Sequence, residues 1–189
     1  MAADSGNTPT MVALASMALF GIGATPYDER GLIALARASV AAEVRGERVA
    51  ALTTKTPPRP VFVTIEVGGV VRGCRGDLAT RAKSLEEEVV LAARAAATHD
   101  PKYRPLSPAE LGRFLVTVTI VERIEPITGV AGLRPEDGLV LRSGGRTGVV
   151  LPWEGKDPDV RKKWAYRKAG VGTGAPVALF RLIAQRFRG

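Results

Sequence analysis

The sequence predicts an α+β domain, and three observations support this fold class. Apolar residues alternating with period two mark short β runs, and two pairs of these runs are joined by Gly-Gly turns. Two longer segments outside these hairpins carry apolar residues at helical spacing, and a third, basic segment with Trp164 on one face is also expected to be helical. No G-x-G-x-x-G motif follows a first strand, which disfavours a doubly wound nucleotide-binding sheet. Hairpin-connected strands with separate helices are typical of α+β folds.

The elements follow in order along the chain. A helix is expected over 26–48, because Thr25 can cap it and proline suits the first helical position. A capping box at 84–87 begins a second helix that ends near Thr98. The other expected elements are strands at 61–67 and 70–74, a helical turn at 107–110, strands at 114–123, 139–142 and 146–151, a basic helix at 157–169 and a strand at 177–187.

Residues 1–24 are expected to be an apolar leader outside a single domain at 25–189. Residues 11–23 are apolar except for Ser16, and this segment is too short to span a bilayer as a helix. The preceding residues carry Asp4 but no Lys or Arg, so an export signal would lack its positive segment. We therefore expect a cytoplasmic protein without an integral membrane segment, with export through an atypical N-terminal signal as the alternative.

The composition limits the kinds of site that the chain can build. Its 189 residues are 46% hydrophobic and 24% charged, which suits a globular domain with one core. One cysteine and one histidine exclude an intramolecular disulfide and a Cys/His zinc site. A carboxylate-only magnesium or calcium site stays open, but no D-x-D-x-D-G loop is found, and we predict no cofactor.

The formal net charge of +8 comes entirely from the C-terminal region. Residues 160–189 hold eight basic side chains and no acid, whereas acids and bases balance over 1–159. Such an excess can attract nucleic acid, but it also fits a solvated helix and strand. Aromatic residues, which stack on single-stranded bases, make up only 5%. We expect no specific nucleic-acid partner.

The first predicted hairpin contains the most informative residue, Arg72. Strict alternation through a Gly68-Gly69 turn pairs Ile65 with Arg72 and places Cys74 on the same apolar face. Arg75 then lies on the opposite face. Because burying a lone charge is costly, Arg72 needs an anionic partner or a cleft.

Two interpretations of this segment stay open. In the first, Arg72 binds a carboxylate or phosphate in a pocket, Gly73 and Gly76 let a ligand or backbone approach, and Cys74 is a candidate nucleophile. In the second, Arg72 pairs with an internal Asp or Glu, Cys74 is a small buried hydrophobe, and the glycines mark a bulge and a turn. His99 offers the one Cys–His dyad, at a predicted helix end. We predict that Arg72 is functional and that Cys74 is mainly structural.

The segment Val71-Arg72-Gly73-Cys74-Arg75-Gly76 resembles the L-R-G-C-I-G signature of the AMMECR domain family. The stretch 100–106 is similar to the family's D-P-R-F…P-L stretch, and 138–152 is similar to its second glycine-rich hairpin and L-P step. The resemblance covers about residues 26–189. Arg75 replaces the signature isoleucine, Val71 replaces its leucine, and the segment after Pro152 is shorter than usual.

The resemblance implies a two-lobed α+β fold with antiparallel sheets, helices packed on one side, and the signature lining a cleft between the lobes. It also implies Memo-like and radical-SAM partners. The first functional hypothesis is an enzyme, or an enzyme component, with a small-molecule or peptide cleft at Arg72, Gly73, Cys74 and Gly76. The second is a non-catalytic adaptor that holds an acidic partner segment there. The third is a nucleic-acid binder that uses the basic C-terminal region.

Overall fold

A computed structural model describes residues 26–49 and 56–189, so the expectations about the leader and Thr25 fall outside the described residues. The described chain forms a six-stranded antiparallel sheet, three α-helices and a 3₁₀ turn at Pro108–Glu110. The helices are α1 (Glu29–Arg45), α2 (Leu85–Thr98) and α3 (Pro158–Ala169). The strands are β1 (Val61–Val67), β2 (Val70–Gly76), β3 (Phe114–Ile127), β4 (Gly138–Ser143), β5 (Arg146–Val150) and β6 (Ala178–Arg188).

The strand order β2-β1-β3-β6-β4-β5 confirms the predicted α+β class and places β2 and β5 at the two edges of the sheet. All three helices pack on one face. On β6, Phe187 joins the core formed with α1 and α2, and Leu179 joins the core formed with α3. These two residues share a face because they are an even number of positions apart on one strand.

Two cores beneath the helices give the molecule two lobes. The larger core joins α1, α2, β1, β3 and the end of β6, so it contains both ends of the described chain. The smaller core joins α3 with β4 and β5. A third cluster, which includes Phe62, Val140 and Leu182, lies on the opposite face, where the sheet curls inward. This concave face carries the candidate site.

The helix ends follow local capping chemistry. α1 begins at Glu29, three residues later than predicted, because the Asp28 side chain accepts a hydrogen bond from the Gly31 backbone N–H at 3.0 Å. The Ser84 hydroxyl accepts from the Glu87 N–H at 3.2 Å and begins α2 where the capping box predicts. Among the described residues, no helix is long and apolar enough to cross a membrane.

Candidate functional site

A β-bulge at Arg72 changes the register of the first hairpin. Glu66 pairs with Val71 and Ile65 pairs with Gly73, so Arg72 is left without a partner on β1. The predicted pairing of Ile65 with Arg72 is therefore wrong, because one extra residue on β2 reverses the faces beyond it. Cys74 consequently pairs with Thr64 and leaves the apolar helix-facing side that strict alternation predicts for it.

Gly73 and Gly76 permit close approach between backbones. A Cβ atom at Gly73 would lie 2.0 Å from the Ala96 carbonyl oxygen, so only glycine lets α2 pack on β2 at this point. A Cβ atom at Gly76 would lie 2.2 Å from the Val61 carbonyl oxygen. Gly76 borders the cleft, whereas Gly73 faces α2 and does not line it.

Arg72 contacts the 3₁₀ turn rather than the cleft. Its Nε donates to Glu110 Oε1 at 2.8 Å, and the two side chains are only 14% and 9% exposed. This bond and those from Ser107 lower the pKa of Glu110 to about 2. The structure thus shows the internal ion pair of the second interpretation and does not bring Arg72 to the cleft lining.

The cleft is a concavity of about 390 Å³ on the helix-free face of the sheet. Its floor follows from strand register, since residues paired across antiparallel strands point to the same side. Residues from both edge strands line it, which shows that the sheet curls around it. Two cross-strand rows form the floor: Cys74, Thr64 and Thr117 in one, and Gly76, Phe62, Thr119 and Arg186 in the other.

Two threonines at the centre of the floor are buried, each only 2% exposed. Both side chains lie on one face of β3, because they are two residues apart on the strand. Among the described residues, the Thr117 Oγ1 atom has no hydrogen-bond partner. A buried hydroxyl without a partner is unusual in a folded protein and therefore marks this wall of the cleft.

Asp100 connects the two segments that the sequence singles out. Its carboxylate accepts hydrogen bonds from the backbone N–H groups of Cys74 at 2.8 Å and Lys102 at 2.9 Å. The stretch that begins Asp100-Pro101 is therefore held directly against the signature segment. Both segments line the cleft, the second through Pro101, Lys102 and Tyr103.

The Cys74 thiol borders the cleft and pairs with Thr64. Burial raises its pKa, although the Thr64 hydroxyl donates a hydrogen bond to Sγ at 3.2 Å. His99 lies 2.7 Å from the Thr98 hydroxyl and does not line the cleft, so no Cys–His dyad is assembled there. Within the described ranges, no three His, Cys, Asp or Glu side chains are placed to hold a metal ion.

Trp153 forms part of the rim in a strained conformation. Its φ of 65° is the only positive value at a non-glycine residue in the described chain, and the residue is 55% exposed. Its N–H donates to the Pro135 carbonyl at 2.8 Å, which holds the conformation. Backbone strain of this kind clusters at ligand sites. Trp153 is not among the predicted site residues, because local sequence does not reveal this backbone conformation.

Comparison with known proteins identifies the family. The AMMECR1 family model matches residues 33–188. The chain belongs to the AMMECR1 family. A Thermotoga maritima protein is 34% identical over 132 residues, covering 67% of this chain and 76% of its own length. A Thermofilum pendens protein is 32% identical over 189 residues, covering 82% and 87% of the two chains.

The AMMECR1 fold is also present in a solved structure, the crystal structure of an uncharacterized protein from Pyrococcus horikoshii. That structure superposes with a TM-score of 0.71 at 25% identity, covering 84% of this chain and 89% of that one. Against the AMMECR signature, Arg75 is the main departure. It pairs with Val63, which faces the helices, so it alternates away from Cys74 as predicted. It nevertheless borders the cleft at the edge strand.

Proposed function

We propose that this AMMECR1-family protein binds a small molecule or a peptide in the cleft, with Cys74 and Gly76 in one wall. The observation that carries this proposal is the buried, unpartnered hydroxyl of Thr117 in the floor. Leaving a buried polar group unsatisfied costs roughly 1–3 kcal/mol, which a ligand atom at this position would offset. The strained, exposed Trp153 at the rim supports the same assignment.

Within this proposal, the signature residues divide into two groups. Cys74 and Gly76 border the ligand, and Cys74 is the candidate catalytic residue if the protein is an enzyme. Arg72 and Gly73 instead position the elements next to the cleft. Arg72 binds the 3₁₀ turn through Glu110, and Gly73 lets α2 pack closely on β2. The segment therefore both lines the cleft and fixes the elements behind it.

The biochemical setting that we propose is an enzyme, or an enzyme component, acting in the cytoplasm with Memo-like and radical-SAM partners. The partners rest on the family resemblance. A cavity of about 390 Å³ lies in the usual range for small-molecule sites, which favours a small molecule over a peptide.

The test is native mass spectrometry of protein purified gently from its own host, combined with Thr117→Val. We expect a bound small molecule in the wild type, and its loss in the variant. Removing the unsatisfied hydroxyl should also stabilise the free variant by roughly 1 kcal/mol in urea unfolding. Thr80→Val, at an exposed position outside the cleft lining, is the matched control and should change neither readout.

Two results would contradict the proposal. One is a wild-type protein that shows no bound ligand in native mass spectrometry and whose free energy of unfolding does not rise on Thr117→Val. The other is a ligand retained at the wild-type level in that variant. A bound acidic protein segment in place of a small molecule would instead support the adaptor hypothesis, in which the cleft holds a partner and the Cys74 thiol has no chemical role.

A further inference from the structure

We infer that the ligand of this cleft is a small anion with a carboxylate or phosphate group, which the Arg186 guanidinium binds beside the Thr117 hydroxyl. This inference rests on the proposed function and adds the chemical class of the ligand. It follows from the charges that face the cleft, once those already neutralised within the protein are set aside.

The three carboxylates of the cleft are all occupied by groups of the protein itself. Glu66 Oε2 accepts from Arg188 at 2.6 Å. Glu154 accepts from the Lys168 ammonium and from the Leu151 N–H. Asp100 accepts from two backbone N–H groups, as described above. A cationic ligand would have to compete with these contacts for any one of the carboxylates.

Arg186 is a basic residue of the cleft floor that forms no ion pair among the described residues. It pairs with Thr119 across β3 and β6, so it points to the concave face. Among the described residues, no carboxylate forms an ion pair with it, whereas its neighbour Arg188 is bound to Glu66. The Arg186 side chain is exposed to the cleft side of the sheet. Partial desolvation and the neighbouring Arg188 charge lower its pKa, while the nearby Glu66 carboxylate raises it.

The donors beside Arg186 suit a planar or tetrahedral oxyanion. Thr117 lies in the adjacent row of the same face, and its buried hydroxyl has no acceptor among the described residues. A guanidinium fork with a neighbouring hydroxyl presents several N–H and O–H donors, the pattern that binds carboxylate or phosphate oxygens. Lys102 and Arg75 also border the cleft without a carboxylate partner in the described chain.

The experiment is an NMR titration of the full chain, following backbone amide shifts. The anionic probes are phenyl phosphate and benzoate, the neutral probes are phenol and benzyl alcohol, and the cationic probe is benzylamine. We expect the anions to shift the amides of Cys74 and Thr117 and to bind at least tenfold more tightly than the neutral probes. Comparing phenyl phosphate with benzoate then shows which anionic group the site prefers.

Arg186→Gln should weaken anion binding about tenfold, and Arg186→Lys should also weaken it, because the fork is lost while the charge stays. Arg113→Gln is the matched control, since it removes the same charge at an exposed position away from the cleft, and it should leave binding unchanged. The amide spectrum of each variant reports directly whether it has folded.

The negative outcomes distinguish an error in the inferred ligand charge from an error in the proposed ligand binding. If neutral probes bind within threefold of the anions, or benzylamine binds most tightly, the inferred charge is wrong while ligand binding in the cleft stands. If Arg186→Gln and Arg113→Gln weaken anion binding equally, the effect is general charge attraction and the role of Arg186 is overturned. If no probe shifts the cleft amides while native mass spectrometry still finds a ligand that Thr117→Val loses, the anion inference fails and ligand binding in the cleft stands.

Discussion

Arg72 and Glu110 form an ion pair in which both side chains are at least 86% buried and Nε lies 2.8 Å from the carboxylate oxygen. The bulge places Arg72 where it can reach across to the 3₁₀ turn, and Glu110 also accepts from the Ser107 N–H and hydroxyl. A single carboxylate thus connects the signature strand with the segment that precedes β3.

Replacing Arg72 with methionine should destabilise the fold by about 3 kcal/mol, because it leaves the Glu110 carboxylate buried without its main partner. Urea unfolding measures this loss. Arg72→Met combined with Glu110→Gln should recover most of it, since the charge is then removed from both sides. If Arg72→Met leaves stability unchanged but abolishes ligand binding, Arg72 is itself a ligand-binding group, as the first interpretation of the sequence holds.

Glu110 should make stability depend on pH in the acid range. Its pKa falls from the usual 4.5 to about 2 in the folded protein, mainly through the hydrogen bond from Arg72. A lowered folded pKa stabilises the protein fully above the unfolded value, and this stabilisation is lost as pH falls from about 4.5 to about 2. Glu110→Gln should therefore lose less stability than the wild type over this interval in urea unfolding. Parallel pH profiles would exclude this role.

Arg161 is expected to be a structural residue in spite of its charge. It is fully buried, and its guanidinium donates to the carbonyl oxygens of Leu133, Arg134 and Asp137 at 2.5–3.1 Å. Arg161→Met leaves these acceptors unpaired and should cost roughly 3 kcal/mol. Thermal and urea unfolding measure the loss. Arg167→Met, on the exposed side of the same helix, should stay within about 0.5 kcal/mol.

The thiol of Cys74 should react slowly with alkylating agents at neutral pH. Burial raises its pKa, and the thiolate is the reactive form. Because Cys74 is the only cysteine, mass spectrometry after iodoacetamide treatment reports on this residue alone. Labelling at pH 7 should be much slower in the folded protein than in urea, and Cys74→Ser and Cys74→Ala should keep ligand binding. Labelling as fast as that of the unfolded chain, or a covalent adduct formed during turnover, would make Cys74 the centre of the chemistry.

Binding to nucleic acid through the C-terminal region should be weak and steeply salt-dependent. Four of its eight basic side chains are held by other parts of the protein: Arg161, Lys168, Arg181 and Arg188. Anisotropy with a labelled duplex should show affinity falling strongly between 50 and 200 mM salt, as counterion release requires. Lys162→Gln with Lys163→Gln should flatten that dependence. Tight, sequence-selective binding at physiological salt would contradict this expectation.

Local patterns predict most of the fold. Alternation and paired glycines identify both hairpins, and positive φ values at Gly68, Gly69, Gly144 and Gly145 confirm the turns. The capping box locates α2 to within a residue. The second interpretation of the sequence places a bulge near the glycines of this segment, and the structure has one at Arg72. Which residue is left unpaired could not be predicted, because the alternating pattern itself does not mark it.

The site was harder to predict, because its features depend on long-range contacts. Acidic residues in the first turn of a helix usually face solvent, where they interact with the helix dipole. Glu86 and Glu88 are instead buried, and they accept hydrogen bonds from Thr56 and Ala82. Arg161 in a basic helix resembles any other exposed arginine until the loop at 133–137 packs over it. The face of Thr117 was predictable, but its lack of a partner depends on the curl of the sheet.

The curl brings the sheet's two margins, Cys74 on β2 and Thr147 on β5, to a common cavity. A ligand bound between them would contact both edge strands, β2 and β5, which share no backbone hydrogen bonds in this strand order. If the proposed function is correct, ligand binding should slow the opening of both hairpins together and should reduce amide hydrogen exchange at both edges of the sheet. The affinity of a partner protein for either hairpin would then depend on ligand binding, although the partner does not contact the ligand.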